Sequence, residues 1–344
     1  MLQITLHEVA DIRLSDVPMP DAPQPGWVQV RVRRVGICGT DLHAFAGKQP
    51  FFSYPRVLGH ELAVTVHQLG AGVSGLAEGD DVAVRPYLEC GVCRACRRGR
   101  TNCCSDLKVL GVHMDGGMRM YINLPASHLH HAHGVSLEGL ALVEMLSIGF
   151  HAVRRANPQP DDQIVVVGLG PIGLGVCLAA RARGLSVIAV DPSVNRRTFA
   201  SMQRLVAQAI DPGTDVVSSV RSACGGTLPD VVFDATGHPA AMEASFSLPG
   251  NGGSLVLVGL VQGELRFVDP EFHRRELTLL ASRNATAIDF DAVIAALPSI
   301  DIAAWVTHRT RPNELASVLP LWRDPQHGVI KGMLDLDDAQ SAAC

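Results

Sequence analysis

A basic excess is missing from this sequence. Its 29 Lys and Arg are outnumbered by 34 Asp and Glu, for a formal net charge of -5 at pH 7, whereas a phosphate-binding surface wants a basic face. Aromatic residues make up only 5%, too few for a surface that stacks nucleic-acid bases. No block of like charges forms an interaction tail, and no internal repeat or low-complexity segment is present. The opening stretch MLQITLHEVADIRLSD carries acids early and lacks the apolar core of a secretory leader. The most apolar run, Ile164 to Ala180, is short for a bilayer. Glycines and a proline interrupt it, and Arg181 and Arg183 close it. The expectation is a cytoplasmic protein that binds neither nucleic acid nor membrane.

What is present fits an ordinary globular chain of two domains, with 344 residues, 47% hydrophobic and 18% charged. Residues 1–150 read as an all-β module. Its short apolar or alternating runs, Val28–Val35, Ala63–Leu69 and Asp81–Arg85, are separated by Pro and Gly. From Gln163 the runs IVVVG, LSVIAVD, DVVFDATG and GSLVLVG alternate with helical stretches, the pattern of a parallel sheet with crossover helices over 151–287. The remainder, 288–344, predicts helices near Phe290–Leu297 and Asn313–Trp322 and a strand near Val329–Leu334. It is expected to pack back on the first module.

Gly168-Leu169-Gly170-Pro171-Ile172-Gly173 is a G-x-G-x-x-G turn that follows an apolar strand, opens a helix and is followed by a strand ending in Asp191. Gly168 allows the tight turn, Gly170 lets a pyrophosphate approach the backbone, and Gly173 lets helix and strand pack closely. The helix N-terminus then faces the phosphates. Asp191 stands where a carboxylate meets both ribose hydroxyls of NAD and repels the extra phosphate of NADP, although Arg196 and Arg197 just beyond it suit that phosphate. Gly168, Gly170, Pro171, Ile172, Gly173, Asp191 and Arg196 are candidate cofactor contacts, with Thr236 and Gly259 at the ends of the later apolar runs.

Five of the nine cysteines crowd between Cys90 and Cys104, which in a reducing compartment points to metal rather than disulfides. Cys90, Cys93, Cys96 and Cys104 give C-x2-C-x2-C-x7-C, enough thiolates to close a tetrahedron on a structural zinc. Cys103 competes with Cys104 for the last place. Arg94, Arg97, Arg98 and Arg100 decorate the loop. They suit a solvated lobe around a negative zinc tetrathiolate, or, as a rival function from another class, a zinc ribbon that binds nucleic acid or regulates.

A second group is scattered. Cys38 lies in GICGTDLH (Gly36–His43) and His60-Glu61 in GHE, and Glu144 sits in the apolar run ALVEMLSIGF. Cys38 and His60 are soft zinc ligands, and a catalytic zinc needs three protein ligands and one open place. A carboxylate in an apolar run is costly unless a metal or a strong hydrogen-bond partner meets it.

GICGTDLH, GHE, the cysteine lobe and GLGPIG, in this order, resemble the zinc-containing medium-chain alcohol dehydrogenases, and within them the polyol, threonine and sugar-acid branch. The resemblance covers essentially the whole chain. It implies an α/β protein with a GroES-like β-barrel catalytic domain (residues 1–150, with the structural zinc lobe at about 88–106) and a Rossmann coenzyme domain (151–287). It implies two zinc ions per chain and NAD, and a homo-oligomer, dimer or tetramer. It also implies that Cys38, His60 and either Glu144 or Glu61 hold the catalytic zinc. Thr40 would relay the alcohol proton, and His43 would pass it to solvent through the nicotinamide ribose. The substrate implied is a secondary alcohol of a sugar acid such as L-galactonate or L-gulonate, with threonine or sorbitol as alternatives. A zinc-free quinone reductase of the same fold is set aside by the intact Cys38, His60 and cysteine lobe. Met145 stands where relatives often have Pro, and Arg119-Met120 where they often have Ala-Glu. These departures bear on the loop geometry around Glu144 and on the substrate pocket.

Three further segments bear on substrate: Gly47–Pro55 with Phe51 and Phe52, Gly111–Met118, and Ser282–Thr286 with Arg283 and Asn284. The last follows an apolar strand, and ligands in such sheets bind beyond strand C-termini. The histidines His128, His130, His131 and His133 are expected on a solvent loop rather than at a metal.

Overall fold

The computed structural model describes residues 1–49 and 52–337 and divides the chain into two compact units. The first joins residues 1–144 to the segment that starts at Thr286, and the second spans Met145–Ala285.

The first unit is organised by one long strand, Trp27–Ile37. Its sequence WVQVRVRRVGI is rich in valine, which suits a pleated, half-buried ribbon. Glu61–Leu69 pairs antiparallel along one side. On the other side Tyr121–Pro125 pairs with its start, and Lys331–Asp335 with its end. The sheet continues through Asp81–Val84 to Leu129–His131, and past Lys331–Asp335 to Val306–Thr310. One apolar cluster holds Val28, Val30, Val64, Val82, Ile122 and Leu124, and it also takes in Leu315, Leu319, Trp322 and Leu334 from the C-terminal segment.

The histidine segment departs from expectation. His130 and His131 lie in strand Leu129–His131, and His128 and His130 are buried rather than on a solvent loop. His128 meets the Glu89 carboxylate at 3.2 Å, and His130 meets Asp291 at 2.9 Å while stacking on Phe290. Partners distant in sequence admitted these polar rings to the interior.

The second unit is a six-stranded parallel sheet. From Ile164–Val167 the chain steps to Val187–Val190 and Gln208–Ile210. It then crosses back to Val231–Asp234 on the other side and continues to Ser254–Leu257 and Thr278–Ala281. The strands are nearly all apolar because helices cover both faces of such a sheet. The reversal places a switch point between Ile164–Val167 and Val231–Asp234, where doubly wound sheets bind ligands.

Helix Leu137–Ala156 carries Glu144 at its middle, with Leu140, Ala141, Leu142, Val143, Met145 and Leu146 all buried around it. Of the aromatic pair expected near the substrate, Phe52 is described and packs edge-on to Tyr54. Phe51 lies outside the described residues.

Candidate active site and cysteine lobe

Strand Trp27–Ile37 ends where helix Gly39–Phe45 begins, and Cys38 caps that helix. The Asp41 carboxylate, fully buried, accepts from the Cys38 amide at 2.9 Å and the Gly59 amide at 3.4 Å. It thereby ties the Cys38 turn to the turn that presents His60. Glu61 opens the neighbouring strand opposite Gly36. A Cβ on Gly36 would lie 2.1 Å from a Glu61 carboxylate oxygen, so only glycine leaves room for that side chain.

This packing brings the Cys38 sulfur, a His60 ring nitrogen and a Glu61 oxygen within 4.8 Å of one another. His60 is buried, and its Nδ1 has no hydrogen-bond partner among the described residues, the nearest acid being Asp41 at 3.9 Å. Burial by itself would lower the His60 pKa, but the negative groups of Cys38 and Asp41 beside it outweigh burial and hold it well above the usual value. A compact set of soft and hard donors, in a field that favours positive charge, fits a zinc ion.

Glu61 is not idle. Lys331 Nζ lies 2.7 and 2.6 Å from its two oxygens and 3.2 Å from the Ile37 carbonyl. Sequence reading missed Lys331. A lysine inside the apolar run VIKGML carries the same signal that singled out Glu144: a charge at a buried strand position needs a partner. Glu144 is not in the 4.8 Å set. It is buried, accepts a hydrogen bond from the Tyr87 hydroxyl, and burial pushes its pKa up to about 7 against the pull of His60.

Thr40 and His43 lie three residues apart on helix Gly39–Phe45, the spacing that puts two side chains on one face. His43 is exposed at the surface of the unit. Partial burial, with the positive charges of Arg323 and Lys48, holds its pKa below the ordinary value.

The sulfurs of Cys90, Cys93, Cys96 and Cys104 also lie within 4.8 Å of one another, while Cys103 is exposed and outside the set. Amides of Cys90 and Asp106 point at the Cys104 sulfur at 3.3 and 3.4 Å. Amide donors of Cys96 and Ser105 bring Cys93 down to about 5, while burial pushes Cys96 up to about 12. Thiols so crowded ionise together only with a cation among them, which fits a closed tetrathiolate zinc site. At the base of the lobe Arg85 meets Glu89 at 2.8 Å. Burial would raise Glu89, but His128 and Arg85 hold it down to about 2.

In the second unit Gly168, at φ +91°, makes the turn after Ile164–Val167. Gly170 caps helix Pro171–Ala182, and a Cβ there would meet nothing within 4 Å. A Cβ on Gly173 would strike the Gly168 carbonyl at 1.8 Å. Asp191 is buried, and its carboxylate accepts from the Leu169 amide at 2.7 Å and the Ser193 amide at 2.8 Å. Arg196 approaches it at 3.7 Å, and Arg197 donates to the Asp191 carbonyl while pairing with the Asp211 carboxylate at 2.9 Å. Thr236 sits against Gly168, and Gly259 against Gly237 and Thr236. Both therefore lie beyond the strand ends at the switch point.

A closed cysteine lobe, an open Cys–His–carboxylate set and a glycine-rich turn on a doubly wound sheet define a zinc dehydrogenase. Residues 24–134 match the family described as alcohol dehydrogenase GroES-like domain, and residues 171–299 match zinc-binding dehydrogenase. The chain belongs to the zinc-binding alcohol dehydrogenase family, with a GroES-like domain and a Rossmann-type sheet. It is 45% identical over 294 residues to L-galactonate-5-dehydrogenase of Escherichia coli (strain K12), covering 84% of this chain and 86% of that one. It is 35% identical to 2-dehydro-3-deoxy-L-galactonate 5-dehydrogenase of Pseudoalteromonas atlantica, covering 83% and 85%. Among solved structures, the E. coli CFT073 dehydrogenase RspB complexed with NADH aligns with a TM-score of 0.89 at 27% identity, over 98% and 99% of the two chains. A Sinorhizobium meliloti zinc-binding dehydrogenase bound to NADP aligns at 0.88 and 28%, over 97% and 98%. The chain is thus an oxidoreductase acting on alcohols. Among the described residues no helix is long and apolar enough to cross a membrane.

Proposed function

We propose that this protein is an NAD-linked dehydrogenase that oxidises a secondary hydroxyl of a linear sugar acid of the L-galactonate or L-gulonate kind. The observation that carries the reading is the Cys38–His60–Glu61 set, with Cys38 half-buried and both His60 and Glu61 buried, beside a second buried carboxylate, Glu144, that feels the charges of His60 and Glu61. A carboxylate-rich site of this kind suits oxygen-rich substrates better than a shell of two thiolates does. The similarity to two galactonate dehydrogenases supports the acid end of the range.

Cys38 and His60, with Glu61 or Glu144, would hold the catalytic zinc, and Cys90, Cys93, Cys96 and Cys104 the structural one. The catalytic metal supplies Lewis acidity toward a bound hydroxyl, and the dinucleotide supplies the hydride acceptor. Thr40 Oγ1 accepts the proton of that hydroxyl and passes its own onward. His43, on the same helix face and open to solvent, takes it out of the site. Asp191 would receive the ribose hydroxyls of NAD, with Gly168, Gly170, Pro171, Ile172, Gly173, Arg196, Thr236 and Gly259 around the dinucleotide.

We place the protein in the cytoplasm as a homo-oligomer. The edge strand Thr278–Ala281, which leaves Leu279 exposed, supports self-association. The functional test is the appearance of reduced nicotinamide on mixing the protein and NAD with hexonates, sorbitol, threonine and butan-2-ol. The reading expects a hexonate to give the highest kcat/KM. Butan-2-ol ahead of every polyhydroxylated compound would overturn the substrate class.

A further inference from the structure

Tyr87 is pinned on every side. It lies in the short strand Tyr87–Leu88, which pairs with Lys108–Val109 and so closes the base of the cysteine lobe. Its carbonyl accepts from Arg85 at 3.2 Å and contacts the His128 ring at 3.2 Å. Its ring meets Phe290 edge-on, with centroids 6.3 Å apart, and Phe290 is in turn stacked on His130. The side chain is 2% exposed, and a buried phenol must find an acceptor for its O–H. That acceptor is Glu144. Glu144 stands in an otherwise apolar turn of helix Leu137–Ala156 and remains outside the donor set of Cys38, His60 and Glu61.

A buried carboxylate beside a zinc site has two places to go: onto the metal, or onto a fixed donor that holds it clear. From the phenol's rigid seat we infer that Tyr87 is a positioning residue, whose hydroxyl holds Glu144 off the catalytic metal and ready to accept a hydrogen bond from a substrate hydroxyl. The inference rests on the dehydrogenase reading above. Partners that orient metal-site carboxylates are typically worth about 10–100-fold in affinity or activity. The seat also links the lobe to the site, because the strand that closes the cysteine lobe is the one that carries the phenol.

The test puts cobalt in the catalytic site with zinc kept in the cysteine lobe, and compares wild type, Tyr87→Phe, Glu144→Gln and the double variant. Tyr87→Phe keeps the ring against Phe290 and removes only the donor. It is expected to change the visible cobalt bands before any substrate is added, as Glu144 joins the metal, and to lower kcat/KM for the best hexonate about 10–100-fold. In the Glu144→Gln background the same change should leave the cobalt bands where Glu144→Gln alone puts them. Unaltered bands and kinetics in Tyr87→Phe would overturn the inference, as would a loss of thermal stability alone. So would a band shift that persists in the Glu144→Gln background. If Tyr87→Phe does not fold, Glu144→Gln decides alone: a fall in kcat/KM without loss of cobalt supports the inference, and loss of cobalt overturns it. Wild type that takes up catalytic cobalt and reduces NAD, yet is indifferent to Tyr87→Phe, defeats only the Tyr87 assignment. A protein that does neither defeats the dehydrogenase reading and this one together.

Discussion

Lys331 and Glu61 form a fully buried ion pair in which the ammonium nitrogen lies 2.7 and 2.6 Å from the two carboxylate oxygens, with neither side chain more than 2% exposed. The two residues lie 270 positions apart and meet because Gly332 pairs with Ile37 in one register and Glu61 with Gly36 in the other. The lysine neutralises the carboxylate that joins Cys38 and His60 in the donor set, and burial does not discharge it: the Glu61 charge outweighs desolvation and keeps its pKa above the usual value.

Lys331→Met should therefore cost far more than a surface charge. It leaves a buried carboxylate without its partner, a loss typically of about 3–5 kcal/mol. Urea unfolding of metal-free protein checks it, and a change under about 1 kcal/mol would show that Glu61 finds another partner.

The two donor sets predict two zincs per chain with different jobs. Cys38→Ser should end turnover and leave a folded protein that still binds NAD. Cys93→Ser should lower thermal stability, because a structural zinc contributes folding energy. Metal analysis giving one zinc or none, not restored by soaking, would contradict this.

NAD should be preferred to NADP. The Leu169 and Ser193 amides hold the Asp191 carboxylate in place, and on the proposed reading it would face, and repel, a 2′-phosphate. Arg197 is already committed to Asp211. Asp191→Asn should narrow the NAD-to-NADP ratio of kcat/KM by about tenfold, or about 1.4 kcal/mol. Wild type that uses both equally would shift attention to Arg196.

Much of the fold and of the two donor sets is legible in the sequence. Motifs whose chemistry is local, such as the cysteine spacing and the glycine turn, need few neighbours and can be read from a string. Glu144 was legible as a problem, a carboxylate in an apolar run, but its solution was not, because Tyr87 lies 57 residues away on another element. Lys331 failed the same way. The buried histidines went wrong for the converse reason: four polar rings in six residues look like surface, until Glu89 and Asp291 are seen beside two of them.

The pH dependence of alcohol oxidation should report His43. A histidine relays a proton outward only while neutral. Partial burial, together with Arg323 and Lys48, disfavours its charged form, so the acid limb of the kcat profile should fall below the ordinary histidine value of about 6.5. Arg323→Ala removes one positive charge and should move that limb to higher pH. A limb that stays in place would assign the relay to another group.

The last prediction separates folding from binding within one turn. Gly173 and Gly170 are three residues apart, yet a methyl group means opposite things at the two. At Gly173 an added Cβ would stand 1.8 Å from the Gly168 carbonyl, so the helix must back away from the strand it packs on. At Gly170 the Cβ would meet nothing within 4 Å, and the backbone, at φ -68° and ψ 178°, suits any residue. Gly170→Ala should therefore fold with near-normal stability and unfolding midpoint. The space it enters is the space a pyrophosphate needs to reach the amides at the start of helix Pro171–Ala182. Its loss should appear as a weaker NAD affinity, by about tenfold or more, which at about 1.4 kcal/mol per decade is the order of one or two lost hydrogen bonds. Gly173→Ala should instead lower the melting temperature, and its NAD affinity should fall only as far as the turn is displaced. Calorimetry of NAD binding alongside thermal unfolding distinguishes the two. If Gly170→Ala binds NAD as wild type does, the dinucleotide does not approach the backbone at this turn, and the cofactor contacts proposed for Gly168, Gly170, Pro171, Ile172 and Gly173 belong elsewhere on the sheet.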